Sequence, residues 1–218
     1  MSTRTDSFFD AHQRATVAAA MARMIPTDDV PGATEAGTID FLDRYLSGTG
    51  YVYAAPDGNG FETLTGRRLK AWTQRIEMIR ERYVTGVRAL DEAARRRGGD
   101  FVDLGPDDQD AVLREVERPE GREQEADLAR ARTALYGAPV EPALQQTSAE
   151  TALGFVPLLA LHTRQGFYAD PVYGGNRGHV GWQVIGFPGP ESLAEVHSGR
   201  YTTIDYFAEN RVHPGTED

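Results

Sequence analysis

Three of the chain's histidines, His162, His179 and His197, fall in a stretch that also carries Asp170 and Glu195, the side-chain types from which divalent-metal sites are built. Their spacing does not match the His-Glu-x-x-His pair that sets two imidazoles on one helix face, and there is no cysteine to make a thiolate site. Ser192, His197 and Asp205 supply the types of a nucleophile, a base and an orienting acid, but no Gly-x-Ser-x-Gly elbow presents the serine. The 33 acidic residues allow many pairs of carboxylates. That abundance removes the signal, because glycosidic chemistry depends on a separation of roughly 5 to 9.5 Å that sequence does not fix. The run Tyr173-Gly174-Gly175-Asn176 invites comparison with a phosphate cradle, yet it has neither the Lys-Ser/Thr ending of a P-loop nor the Gly-x-Gly-x-x-Gly order of a dinucleotide site. On these grounds no catalytic, cofactor-binding or metal-ligating residue is assigned.

Composition narrows the classes further. The 218 residues carry 23 basic and 33 acidic side chains, a formal charge of -10 that repels phosphate backbones, so nucleic acid is not expected as a partner. The absence of cysteine excludes disulfides, thiol chemistry and a Cys-x-x-Cys-His haem attachment in this chain. The apolar stretch from Ala15 to Ile25 is short, contains Arg23 and follows Asp6 and Asp10 where a leader would be basic. No stretch approaches the roughly 18 to 20 apolar residues of a membrane span. A cytoplasmic protein is expected. Periplasmic location would follow if the start were truncated or a partner carried the export signal.

Periodicity predicts a mostly α protein forming one unit over 1–218: a helical body over about 7–165, a Gly/Pro/aromatic segment over 166–190, and an extension over 191–218. A first helix is expected from Ser7 to Ile25, stopped by Pro26, and a second from Thr34 with Ile39, Leu42, Tyr45 and Leu46 on one face. The longest helical pattern runs from Leu64 to Arg97 and places Leu69, Trp72, Ile76, Ile79, Tyr83, Val87 and Leu90 on one side, with Gly98-Gly99 closing it. Arg95-Arg96-Arg97 reads as a solvated helix end whose cations meet the negative end of the helix dipole. A helix over Asp108 to Glu117 follows, then a highly charged stretch over Arg118 to Arg132. Another helix over Ala149 to Arg164 holds Pro157, which either kinks it or marks its first turn. The tail is expected to pack up to Phe207, with about the last eight residues disordered.

Between Gly166 and Pro190 the character changes. Glycines and prolines alternate with Phe167, Tyr168, Tyr173, Trp182 and Phe187, whereas a flexible linker pairs its glycines with serines. Asp170-Pro171 restricts the backbone to an extended or turning entry, and Gly174-Gly175-Asn176 permits positive φ. The aromatics can be a core beneath a folded-back loop or anchors pressed into a partner.

Gly166-Phe-Tyr-Ala-Asp-Pro-Val-Tyr-Gly-Gly-Asn176 and Gly181-Trp-Gln-Val-Ile-Gly-Phe-Pro-Gly189 resemble the signature of the gluconate 2-dehydrogenase subunit 3 family. Ile25-Pro26-Thr27-Asp28-Asp29, Pro31-Gly32-Ala33 and Ile39-Asp40-Phe41-Leu42-Asp43 resemble its amino-terminal half. The resemblance implies a non-catalytic small subunit that binds and stabilises a large flavoprotein of the glucose-methanol-choline (GMC) oxidoreductase type. FAD and sugar oxidation then belong to that partner, and a cytochrome c subunit can accompany the pair. Many relatives carry a twin-arginine export signal, and this sequence departs from that pattern. The resemblance also favours the partner-anchor reading, with an interface at Phe167, Tyr168, Asp170, Pro171, Tyr173, Gly174, Gly175, Asn176, Trp182, Ile185, Phe187 and Pro188.

Overall fold

The computed structural model describes residues 7–118 and 150–201. Helix α1 spans Ala11–Met24 and starts where Asp10 and Gln13 exchange hydrogen bonds. The Asp10 carboxylate accepts from the Gln13 N–H (2.8 Å), and the Gln13 amide oxygen accepts from the Asp10 N–H (3.2 Å). The predicted start at Ser7 is therefore too early. Residues 7–9 are held by another device, the Asp43 carboxylate, which accepts from the N–H groups of Phe8 and Phe9 (3.0 Å each) and from the Ser7 hydroxyl (2.7 Å).

The turn after α1 requires its glycine. A Cβ on Gly32 would lie 2.5 Å from the Pro26 carbonyl carbon, and the Ala33 N–H donates to the Ile25 carbonyl (2.8 Å). Two helices follow where one was expected, α2 over Ala33–Ala36 and α3 over Thr38–Ser47, because Gly37 adopts φ 66° between them. Glu35 secures the start of α2 by accepting from the Thr27 hydroxyl and the Gly32 N–H, and these hydrogen bonds, the Thr27 one foremost, hold its carboxyl below the usual range.

Helix α4, Gly66–Arg95, is the spine, and it buries Ile76, Ile79, Tyr83, Val87 and Leu90 as its periodicity predicts. Its first turns project: Leu69 is exposed and Trp72 half-buried. Helix α5 begins at 106 and runs to 118, the end of this stretch of described residues. Arg23 of α1 grips Asp110 of α5 with two parallel hydrogen bonds (2.8 and 3.1 Å), and this contact lowers the carboxyl's pKa. Arg96 and Arg97 each donate to Glu115 (2.7 Å), so the arginine cluster at the end of α4 is tied to α5 and not only solvated. The charged stretch beyond Arg118 lies outside the described residues.

Helix α6, Phe155–Tyr168, begins at Gly154 with Pro157 in its first turn, where a missing N–H costs nothing, so the proline marks the start and makes no kink. The helix continues past Arg164 through Gly166 and Phe167, correcting the boundary expected at 166. The rest of that segment is irregular backbone punctuated by short helical turns, 3-10 turns at Pro171–Tyr173 and Arg177–His179 and helix α7 at Val180–Val184, with α8 at Leu193–His197 beyond it. Of the tail only residues to Tyr201 are described, so the expectations for Ile204, Tyr206 and Phe207 lie outside. Among the described residues there is no strand, only an isolated antiparallel bridge between Ala54 and Phe61, and no helix is long and apolar enough to cross a membrane.

The core lies between α1, α3, α4 and α6, around Met21, Leu42, Tyr83, Leu90, Phe155 and Leu159. At its centre α4 and α6 approach so closely that a Cβ on Gly86 would stand 2.1 Å from the Phe155 ring. Alanine has the better helix propensity, but a buried ring between two helices cannot simply step aside. We expect Gly86→Ala to lose about 1–3 kcal/mol in urea denaturation, and a stabilised variant would refute this close approach.

Candidate functional site

Asn176 is wholly buried and sits in the left-handed region (φ 47°, ψ 43°), which asparagine tolerates better than most residues. Its amide donates to the Ala169 carbonyl at the end of α6 (2.9 Å), and its oxygen accepts from the Gly181 N–H in α7 (2.8 Å). The glycines around it are required by proximity: a Cβ on Gly175 would lie 2.1 Å from the Gly166 carbonyl oxygen, and one on Gly181 1.9 Å from that of Phe167. The segment is thus laid backbone against backbone on α6. Trp182 closes it, with its indole N–H donating to the Tyr168 carbonyl (2.8 Å), its ring edge-on to Phe187, and His179 stacked on it at 4.8 Å. Asp40 of α3 pairs with both Arg177 and Arg14, and Arg44 donates to the Val172 carbonyl (2.9 Å).

Beneath this clasp lies a buried polar chain. The Tyr83 hydroxyl is 2.8 Å from His162 Nδ1, and His162 Nε2 is 2.7 Å from Glu150 Oε1. Glu150 Oε2 pairs with Arg75, and Tyr45 donates to Oε1 at 3.3 Å. Complete burial, reinforced by the Arg75 charge, pushes His162 down to about 3. The ring is therefore neutral. With Glu150 ionised against Arg75, both ring contacts are made when the single proton sits on Nε2 and Tyr83 donates to Nδ1. Burial also raises the Tyr83 and Tyr45 hydroxyls, Tyr83 well above its ordinary value, so both remain protonated donors.

Above this chain an aromatic cleft of about 420 Å³ opens between α3, α4 and the end of α6, walled by Phe41, Tyr45, Tyr51, Trp72, Tyr168 and Tyr173 with Glu150 at its inner edge. The size is that of a small-ligand pocket or an anchor-residue pocket.

The residues expected at a partner interface divide into three groups. Phe167, Gly175, Asn176 and Trp182 are buried within the chain, so the internal-core reading describes them, and their side chains have little left to offer a partner. Asp170, Pro171, Tyr173, Gly174 and Phe187 are half-buried. Asp170 caps the first 3-10 turn by accepting from the Val172 N–H (2.9 Å), and the Tyr173 hydroxyl accepts from the Ala54 N–H (3.2 Å). Tyr168, Ile185 and Pro188 are exposed. The remaining histidine candidates do not converge. His162 is in the buried chain, His179 lies on Trp182, and His197 is at the exposed end of α8, while no group of three or more His, Asp and Glu side chains forms a metal-sized cluster among the described residues. Sequence reasoning missed Tyr45, Arg75 and Glu150. Trp72 and Arg75, one turn apart on the projecting part of α4, were the available signal.

The family model described as Gluconate 2-dehydrogenase subunit 3 matches residues 11–189, from the first residue of α1 to the glycine packed on Trp182. The chain belongs to that family. No curated protein and no solved structure matches the chain. Membership in the subunit 3 family makes this a subunit associated with a dehydrogenase complex, and the matched span takes in the clasp, the buried chain and the cleft.

Two consequences are measurable. Asn176→Ala strands the Gly181 N–H and the Ala169 carbonyl, so we expect a loss of about 2–4 kcal/mol in denaturant unfolding. A wild-type-like midpoint would show the clasp to be dispensable. For His162 the unfolded ring takes up a proton near pH 6.5 while the native ring resists to about 3. Its contribution is fully present above about pH 6.5 and is lost as pH falls toward about 3. His162→Gln, which keeps both hydrogen-bonding roles, should flatten the stability profile between about pH 6.5 and 4.5 in urea melts run as a pH series; an unchanged slope would dismiss the buried neutral ring.

Proposed function

We propose that this subunit is non-catalytic and that it binds and stabilises a large GMC-type flavoprotein which oxidises a sugar or polyol such as gluconate, glucose or a glucoside. FAD and the redox chemistry reside in that partner, and a cytochrome c subunit takes the electrons onward. Family membership over residues 11–189 is the observation that carries this reading. The site geometry supports it, because the groups with chemical potential are engaged in holding the fold: His162 and Glu150 in the buried chain, Asp40 and Asp43 as bridges to arginines and backbone.

The surface of the clasp is where the partner docks. Tyr168, Val184, Ile185 and Pro188 are exposed on it. Exposed apolar side chains gathered in one segment are characteristic of a partner-binding surface. Co-expression of the chain, tagged, with a GMC-type flavoprotein of the same organism should yield a yellow complex on affinity purification. Ile185→Asp should reduce flavoprotein retention about tenfold or more while leaving this chain's melting unchanged. Purification of the tagged wild-type chain free of flavin absorbance would sink the proposal.

A further inference from the structure

The aromatic cleft is not explained by docking on the exposed face of the clasp, and its electrostatics are unusual for this protein. Arg44 lies over Tyr51 at 5.8 Å, Arg68 over Tyr53 at 4.8 Å and Arg75 over Trp72 at 4.8 Å. Tyr53 in turn accepts from the Trp72 indole N–H (3.2 Å), which joins its ring to the cleft wall. Three guanidinium groups therefore stack on or beside the aromatic walls. The stretch of α4 leading into the cleft adds exposed Arg67 and Lys70, and no acidic residue sits in that helix's first turn. Asp40 and Asp43 share a depression with Arg44 but are paired with Arg14 and Arg177, and two further carboxylates face the remaining cations. Glu150 is committed to Arg75 and His162, and Glu62 approaches Arg68 at 3.5 Å.

The whole chain carries a formal charge of -10, so this local excess of cations around an apolar, aromatic depression is a departure from its surroundings. Such a surface is complementary to an occupant with an apolar body and carboxylates at its edge. A guanidinium whose plane lies on a ring can still meet a carboxylate with paired hydrogen bonds, and Arg68 is the exposed one of the three, since Arg44 donates to the Val172 carbonyl and Arg75 to Glu150. The aromatic walls offer large area at small entropic cost, as anchor pockets do.

We propose that this cleft receives an acidic, apolar peptide segment of the large subunit: an aliphatic or aromatic side chain enters between Tyr45, Trp72 and Tyr168, and flanking Asp or Glu side chains meet Arg68 and its neighbours. The inference rests on the accessory-subunit reading and adds a second, electrostatically selected contact to it. Tyr168 belongs to both the cleft wall and the exposed face of the clasp, so one partner can engage the two together.

The test uses the co-expressed complex with three chains: wild type, Arg68→Glu and Trp72→Ala. Both substitutions lie where α4 projects from the core, and a thermal melt of each isolated variant checks that the fold is retained. Flavoprotein retention is expected to fall about tenfold or more for each variant. The wild-type complex is also expected to weaken as salt is raised, a response that Arg68→Glu removes. Equal retention by all three chains, with the wild-type complex intact, overturns the cleft proposal and leaves the accessory-subunit reading standing. Absence of flavoprotein with the wild-type chain overturns both. A dimer of the isolated wild-type chain that Trp72→Ala abolishes, seen by light scattering, also overturns it by making a second copy the occupant.

Discussion

A single buried carboxamide sets the terms for the carboxy-terminal half of the described fold. Asn176 satisfies a carbonyl at the end of α6 and an N–H in α7, and by doing so fixes the separation between two backbones that lie almost in contact. Glycine at 175 and 181 is the steric condition for that separation, and the indole of Trp182 covers the result. Remove the amide, and the return of the chain on α6 loses the two hydrogen bonds that set its spacing, leaving Trp182 and the Arg177–Asp40 pair to hold it. Without that return, the Tyr168 face and the wall of the cleft have no common support.

Glu150 plays the corresponding part between helices. One carboxylate receives Arg75 from α4, His162 from α6 and Tyr45 from α3, so three elements are oriented by one charge. Such an arrangement is costly unless every partner is present, since a buried charge that loses its counter-ion is far worse than none. The benefit is specificity, because aliphatic packing alone would let these helices rotate or slide. The aromatic cleft inherits its shape from this point, with Tyr45 and Trp72 held by groups that contact Glu150 or its partner arginine.

Much of this was legible in the sequence, and the parts that were not have physical causes. The spine helix declared itself because Ile76, Ile79, Tyr83, Val87 and Leu90 repeat at helical steps, and Pro157 was correctly one of two readings, a first-turn residue. The break at Gly37 was hidden, since an isolated glycine between two good helical patterns is ambiguous until Arg177, far along the chain, fills the space beside it. The Gly/Pro/aromatic segment was recognised as ordered, but spacing carries no information on whether an aromatic faces inward. Burial settled that for Phe167 and Trp182, while Ile185 stayed outside. The Glu150–His162–Tyr83 chain was illegible because it depends on three elements meeting, and no local pattern encodes such a meeting. Family membership was legible because its signature includes glycines dictated by close approach and an asparagine dictated by its buried hydrogen bonds.

The packing of α6 also has a consequence for the order of events during synthesis. Tyr83, Val87 and Gly86 face a helix that begins almost seventy residues later in the sequence (Gly86 to Phe155). The clasp that fixes α6 ends later still, and Arg177 reaches back to Asp40. A nascent chain therefore leaves the α6-facing side of α4 uncovered while a large part of its length is still being made. Sequence-local helices can form at once, but the packing of α4 on α6 waits until α6 has left the ribosome. Apolar surface left uncovered over such an interval is the kind that aggregates or is cut before a fold closes.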